Sequence, residues 1–219
     1  MQKRLIALFH SLKKAYGPQH WWPADTPFEM AVGAILTQNT SWANVERAIG
    51  RLRERDLLSA KRMSKAPLRV LSQCLKPVGY FNVKAGRLKN FLNLLSSEYK
   101  GSLKKLLTEP LPALRQKLLD VNGIGPETAD SIILYGAKKP IFVVDAYTRR
   151  VFSRTGLLRP SASYEETQAY FMEHLPSQVG LFNEFHALIV EHAKQFCKTK
   201  PVCGPCPLRL SCNYANHGV

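Results

Sequence analysis

Residues 118–137 read LLDVNGIGPETADSIILYGA, and the fold follows from how this stretch is read. Two apolar-patterned helices, 112–120 and 126–136, meet through the tight link Val121-Asn122-Gly123-Ile124-Gly125, which predicts a helix–hairpin–helix over 112–136. Pro126 stands at a first helical position, where a missing N–H is tolerated. Glycines let the backbone turn sharply and approach a ligand without side-chain obstruction. The backbone N–H groups of Gly123, Gly125, Glu127 and Thr128 are then expected to point outward at a helix N-terminus. That arrangement favours an anionic oxygen such as a DNA phosphate. A helical hairpin packed in the core with no ligand is the competing reading of the same residues.

The charge balance favours the first reading. Among 219 residues, 31 Lys and Arg stand against 16 Asp and Glu, a net +15. Such an excess sets up a field that attracts polyanions, with nucleic acid the leading candidate and an anionic membrane surface or mere solubility the alternatives. A hydrophobic share of 45% against 21% charged residues excludes wholesale disorder. The N-terminal MQKRLIALFHSLKKAYG lacks the long apolar core of a signal peptide, and Leu5, Ile6, Leu8, Phe9 and Leu12 instead fit one face of an amphipathic helix. No run approaches the roughly 18 apolar residues of a membrane span. The expectation is a cytoplasmic monomer, nucleoid-associated if bacterial or archaeal, with no membrane partner. In that compartment clustered cysteines more often bind metal than form disulfides.

Strand signals are scarce. Residues 28–52 read as helix with a break near Thr37–Ser41, and shorter helical patterns cover 57–63, 67–76, 82–98 and 103–108. After the hairpin, Pro140–Val144 is the one β-branched stretch, too short for a sheet by itself, and helices follow near 146–156, 163–174 and 178–195. The expected fold class is all-α: two helical lobes with a DNA-binding cleft between them. One lobe spans 24–136 and holds the hairpin. The other joins 1–23 to 137–219 and ends in a cysteine loop at 197–212.

That loop places Cys197, Cys203, Cys206 and Cys212 in a C-x5-C-x2-C-x5-C pattern. Four thiolates suit tetrahedral zinc or a [4Fe–4S] cluster, and a single C-x2-C pair departs from the two paired knuckles common in zinc sites. Cys74 lies elsewhere and reads as a buried small hydrophobe. Asp145, in IFVVDAYTRR (141–150), reads as the N-cap of a helix starting at Ala146. A capping carboxylate can also face a ligand, so the residue stays open to both roles.

Hairpin, aspartate and cysteines together resemble the endonuclease III (helix-hairpin-helix-GPD) superfamily of DNA glycosylases, from about residue 28 to 212. The resemblance implies base excision repair of double-stranded DNA carrying a damaged base, with Asp145 as the catalytic carboxylate. It implies phosphate binding at the hairpin through a monovalent cation held by the carbonyls of Leu119, Val121 and Ile124. It also implies a [4Fe–4S] cluster on the four cysteines, although the family's first gap of six is shortened here to five. The cluster would staple a loop whose Lys198, Lys200 and Arg209 meet phosphates.

WWPADTPFEMAVGAILTQNTSWANVERA (21–48) is similar to the 3-methyladenine glycosylase branch. There two aromatics sandwich the flipped base, and Trp22 and Trp42 match them. An alkylated purine is positively charged and attracted to an aromatic face. Gln38 matches the glutamine that fills the gap in the duplex. Core packing for one of the tryptophans, and a surface amide for Gln38, are the plainer readings. The mismatch-adenine branch needs a glutamate where Gly33 stands, which argues against that reading. Bifunctional members carry a Schiff-base lysine at the position of Glu127, and a carboxylate cannot form an imine. The resemblance therefore implies a monofunctional glycosylase without AP-lyase activity, with Glu127 lining the base pocket or complementing the helix dipole. A glycosylase for oxidised pyrimidines, or for uracil or thymine in mismatches, is the alternative substrate reading. A non-catalytic DNA-binding module is the third reading, and the retained Asp145 argues against it. His20, His186 and His192 receive no role.

Overall fold

In the computed structural model, which describes residues 2–218, the chain is helical: thirteen α-helices and no strand occur among the described residues. It divides into two compact units, Trp22–Lys139 and the discontinuous Met1–Trp21 with Pro140–Val219.

The unit from Trp22 to Lys139 is built around α2 (Pro27–Leu36), in which every residue from Glu29 to Leu36 is buried. A helix apolar on all sides must sit inside a core. Its start is fixed by Thr26, whose hydroxyl accepts the Glu29 N–H at 3.1 Å, and by Pro27 in the first turn. After the break at 37–41, α3 (Trp42–Glu54) buries Val45, Ala48, Ile49 and Leu52, an i, i+3, i+4, i+7 stripe. The short α4 (Ala60–Lys65) and α5 (Leu68–Cys74) lead to the long α6 (Phe81–Tyr99). On α6 Lys84 is 2% exposed, and its Nζ donates to the Val78 carbonyl at 2.8 Å. Burial, with the neighbouring Arg87, lowers the Lys84 pKa. Cys74 is buried, as a small hydrophobe should be. Then come α7 (Leu103–Thr108), α8 (Leu111–Leu119) and α9 (Pro126–Ser131).

One element differs from expectation. The helix anticipated over 126–136 is α-helical only to Ser131 and widens into a π turn at Ile132–Gly136. Bonds there reach five residues back, as from the Ala137 N–H to the Ile132 carbonyl at 3.0 Å. α2 packs on this turn, and the Met30 methyl lies where a Cβ on Gly136 would sit, 2.7 Å away. Helix period in the sequence does not distinguish this wider turn, which lies against a neighbour far away in the chain.

The other unit gathers α1 (Gln2–Tyr16), α10 (Ala146–Arg154), α11 (Tyr164–His174), α12 (Val179–Gln195) and α13 (Asn213–His217). The apolar face expected of α1 is buried at Leu5, Leu8, Phe9 and Leu12. Residues 141–144 run extended and buried without pairing. Phe142 within them stacks on Phe171 at 3.9 Å between ring centres and meets Phe182 and Phe185 edge to face. This aromatic cluster holds the segment leading into α10. α11 carries a full capping box between Ser163 and Glu166. No helix among the described residues is long and apolar enough to cross a membrane.

Phe142 is wholly buried, so Phe142→Ala should cost about 3–5 kcal/mol of stability. Urea unfolding of the two proteins checks this, and a loss below about 1 kcal/mol would show that the site collapses freely around the cavity.

Candidate functional site

The hairpin turns on Gly123, whose φ of +95° lies in the left-handed region. A side chain is also barred by space, because a Cβ there would lie 2.3 Å from Arg87 Cγ. Gly125 is extended and serves as the N-cap of α9. The Ile124 N–H closes the turn on the Val121 carbonyl at 3.0 Å. Arg115 on α8 grips Asp130 on α9 with two bonds, Nε to Oδ1 at 2.8 Å and Nη2 to Oδ2 at 3.2 Å, and Asp130 is fully buried. Gln38, just beyond α2, reaches this hairpin. Its Nε2 donates to the Gly123 carbonyl and to Thr128 Oγ1, each at 3.2 Å, and its Oε1 accepts from Arg87 Nη1. Glu127 is exposed on the first turn of α9.

Trp22 and Trp42 meet over Gly33. Their ring centres lie 5.2 Å apart at 89°, edge to face, and Trp22 also tilts against Tyr135 at 5.2 Å. A Cβ on Gly33 would stand 3.5 Å from Trp42 Cη2 and 3.6 Å from Trp22 Nε1, so the glycine forms the floor on which both rings rest. Trp42 Nε1 donates to Glu46 Oε1 at 2.8 Å.

Asp145 caps α10, its Oδ1 accepting the Thr148 N–H at 2.7 Å. His186 on α12 brings its Nε2 to 3.5 Å from Asp145 Oδ2, and both side chains are nearly closed to solvent. Burial raises the cost of a charged carboxyl at Asp145. The His186 contact and the Thr148 N–H outweigh it and hold the pKa below the usual aspartate value. The N-cap role read from sequence is therefore realised, and it keeps the carboxylate ionised.

The four thiols of Cys197, Cys203, Cys206 and Cys212 line one pocket, partly open, with Val151, Phe196 and Leu208 among its walls and an interior free volume of about 20 Å³. That is room for about one water. Among the described residues, no group of three or more His, Cys, Asp or Glu side chains is arranged to hold a metal ion. Burial, together with the charges of the other three cysteines, pushes the Cys206 thiol up. Four thiolates packed this closely repel one another unless a cationic group lies between them. His192 stands beside them, Nε2 3.8 Å from Cys206 Sγ and Nδ1 2.9 Å from the Tyr16 hydroxyl. Arg154 Nη1 lies 3.4 Å from Cys197 Sγ.

The sequence of residues 32–177 matches the family model described as "HhH-GPD superfamily base excision DNA repair protein". The chain belongs to this superfamily. Among its relatives, a Methanocaldococcus jannaschii protein described as a candidate DNA repair glycosylase is 45% identical over 209 residues, 95% of each chain. Endonuclease III of Sulfolobus acidocaldarius is 29% identical over 85% of this chain and 82% of its own length. Among solved structures, H. pylori 3-methyladenine DNA glycosylase bound to 1,N6-ethenoadenine is 29% identical, with a TM-score of 0.75 over 89% of this chain and 95% of that one. A trapped endonuclease III–DNA intermediate, 22% identical, shares the fold at a TM-score of 0.86 over 99% of this chain and 97% of that one. These similarities make the chain a base excision repair DNA glycosylase with the all-α architecture of its superfamily.

In this HhH-GPD glycosylase the expected residues fall into groups. Gln38, Gly123 and Thr128 are joined by hydrogen bonds, with Gly125 capping the same hairpin helix. Trp22 and Trp42 are in contact. The four cysteines share one cavity. Glu127 lies on the first turn of α9, its carbonyl accepting from Ser131 Oγ at 2.7 Å. His186, Arg87 and Glu46 went unread in the sequence. Glu46 had a signal, one helical turn beyond Trp42, whereas His186 and Arg87 had none, because only folding brings them to Asp145 and Gln38.

His186→Ala removes a contact that favours the charged form of Asp145 and leaves burial, so the Asp145 pKa should rise. The depressed pKa contributes stability that is present above the unfolded-state value and lost as pH falls through the folded one. The variant should therefore begin losing stability at a higher pH on acidification. Carboxyl NMR titration alongside unfolding at stepped pH checks both shifts, and an unmoved Asp145 titration would deny His186 this role.

Proposed function

We propose that the chain is a monofunctional DNA glycosylase that binds double-stranded DNA, flips out alkylated purines such as 3-methyladenine and excises them, leaving the abasic strand uncut. The observation that carries the substrate class is the pairing of Trp22 and Trp42 on the glycine floor of Gly33. The likeness to a 3-methyladenine glycosylase supports it. The two rings touch edge to face, so seating a base between them requires them to part. The face of each indole then attracts a cationic base.

Excision breaks the bond between C1′ of the deoxyribose and the base nitrogen. The base leaves with the bonding electrons, so an N-alkylated cation departs neutral, and positive charge builds on the sugar. Asp145, kept ionised by Thr148 and His186, stabilises that charge or takes the proton of the water that adds to C1′. Glu127 cannot attack the sugar as an amine would, so no imine forms and the strand is not cut. Gln38 fills the space left by the flipped nucleotide. The hairpin at Gly123, Gly125 and Thr128 takes the phosphate, with a monovalent cation on the carbonyls of Leu119, Val121 and Ile124.

Cys197, Cys203, Cys206 and Cys212 would hold a [4Fe–4S] cluster. Four thiols lining one pocket offer the donor set of such a group, and a single C-x2-C pair departs from the paired knuckles of a zinc site. It supplies a covalent staple for the C-terminal loop, which presents the exposed Lys198, Lys200 and Arg209. Purified protein should contain iron and acid-labile sulfide in equal amounts, and zinc without iron would refute the assignment.

Duplexes carrying single lesions, assayed with and without alkali, test the activity. Alkylated adenine should be removed and strands should break only after alkali. Breakage without alkali would defeat the monofunctional reading. Processing of oxidised pyrimidines or of uracil or thymine mismatches alone would replace the substrate class with the alternative read from the sequence. Asp145→Asn should keep lesion binding and lose excision on the order of 10²–10³-fold, and retained turnover would remove Asp145 from its role.

A further inference from the structure

We propose that Glu46 is a specificity-determining residue that tunes Trp42 for a positively charged base; this rests on the pocket role given to Trp42 above. α3 opens with Trp42, and Glu46 follows one turn later on the same face. The indole is held at two places. Its six-membered ring lies against the backbone of Gly33, with Cη2 and Cζ3 3.5 and 3.6 Å from where a Cβ would be. Its Nε1 donates to Glu46 Oε1 at 2.8 Å. Arg47, the next cation on the helix, is turned to Asn44 Oδ1.

A hydrogen bond to a charged acceptor polarises its donor. With the N–H drawn toward a carboxylate, electron density moves into the indole and its face becomes more negative. The attraction of a ring face for a cation is electrostatic and strengthens accordingly. The carboxylate itself lies close enough to any base on that ring to attract a positive charge directly. Both effects have the same sign and act only on a charged base. A neutral lesion of similar size gains the stacking and neither electrostatic effect. Glu46 therefore selects N-alkylated purines, such as 3-methyladenine and 7-methylguanine in DNA, over neutral adducts such as 1,N6-ethenoadenine. Because Glu46 is exposed, salt screens part of the effect.

Glu46→Gln keeps an oxygen for the indole N–H and removes the charge. The full chain is assayed on duplexes carrying 7-methylguanine or 1,N6-ethenoadenine, and the readout is the ratio of their kcat/KM values. The substitution should lower the cationic-to-neutral ratio about two- to fivefold at low salt, with a smaller drop as salt rises. The drop should shrink in a Trp42→Phe background, which has no N–H to polarise. An unchanged ratio, or equal losses on both lesions, overturns the role of Glu46 while leaving the pocket reading intact. A wild-type chain that excises neither lesion overturns both.

Discussion

Arg115 and Asp130 meet through two parallel hydrogen bonds at a place where the carboxylate has no access to water. A buried charge is tolerated only with its partner in good geometry, so this fork fixes how α8 and α9 pack. The turn between them then has little freedom, and Gly123 takes a left-handed conformation with Arg87 lying where a side chain would be. Thr128 and the Gly123 carbonyl are thereby presented to Gln38. The end of α2 is registered on the hairpin in this way, and the same helix carries Gly33 under the two tryptophans. The geometry of the hairpin and that of the tryptophan pair are consequently one problem within this unit.

Three of the residues to which chemistry is assigned lie at the cap or in the first turn of a helix. Asp145 caps α10, Glu127 lies in the first turn of α9, and Trp42 begins α3 with Glu46 one turn on. First turns leave backbone N–H groups without intrahelical partners and carry the positive end of the helix dipole. At Asp145 burial opposes the charged form, and His186 of α12 first, then the Thr148 N–H of the cap, outweigh it. Local structure thus adds to the electrostatic work of a residue distant in the chain.

Much of this was legible in the sequence, for identifiable reasons. Pro126 and the glycines around Ile124 punctuate the chain strongly, so the hairpin and most helix limits could be read directly. The stripe on α1 and the break between α2 and α3 follow from periodicity and turn residues. The limits of legibility are equally physical. The π turn at Ile132–Gly136 lies against Met30, a neighbour distant in the chain that no local pattern records. His186 reaches Asp145 from another helix, and Arg87 reaches Gln38 in the same way. The family resemblance paired Trp22 with Trp42, but only the fold shows them edge to face. A four-cysteine spacing identified donors, whereas the cavity they surround was not deducible from spacing.

The unit that carries Asp145 and the cysteines is assembled from both ends of the chain. Phe9 on α1 packs edge to face on Phe185 of α12, and Arg4 donates to the Thr155 carbonyl at 3.0 Å. During synthesis α1 therefore precedes its partner α12 by the whole of Trp22–Lys139, and its apolar face stays unmatched until that segment is made. That middle unit is contiguous and can condense as soon as it leaves the ribosome. Its early collapse shortens the effective loop that α1 must close to find α12. Order of manufacture and order of assembly thus differ: α1 is made before the middle unit yet is buried only with α12, and the unit holding the aspartate and thiols is complete only when the segments flanking Trp22–Lys139 have met.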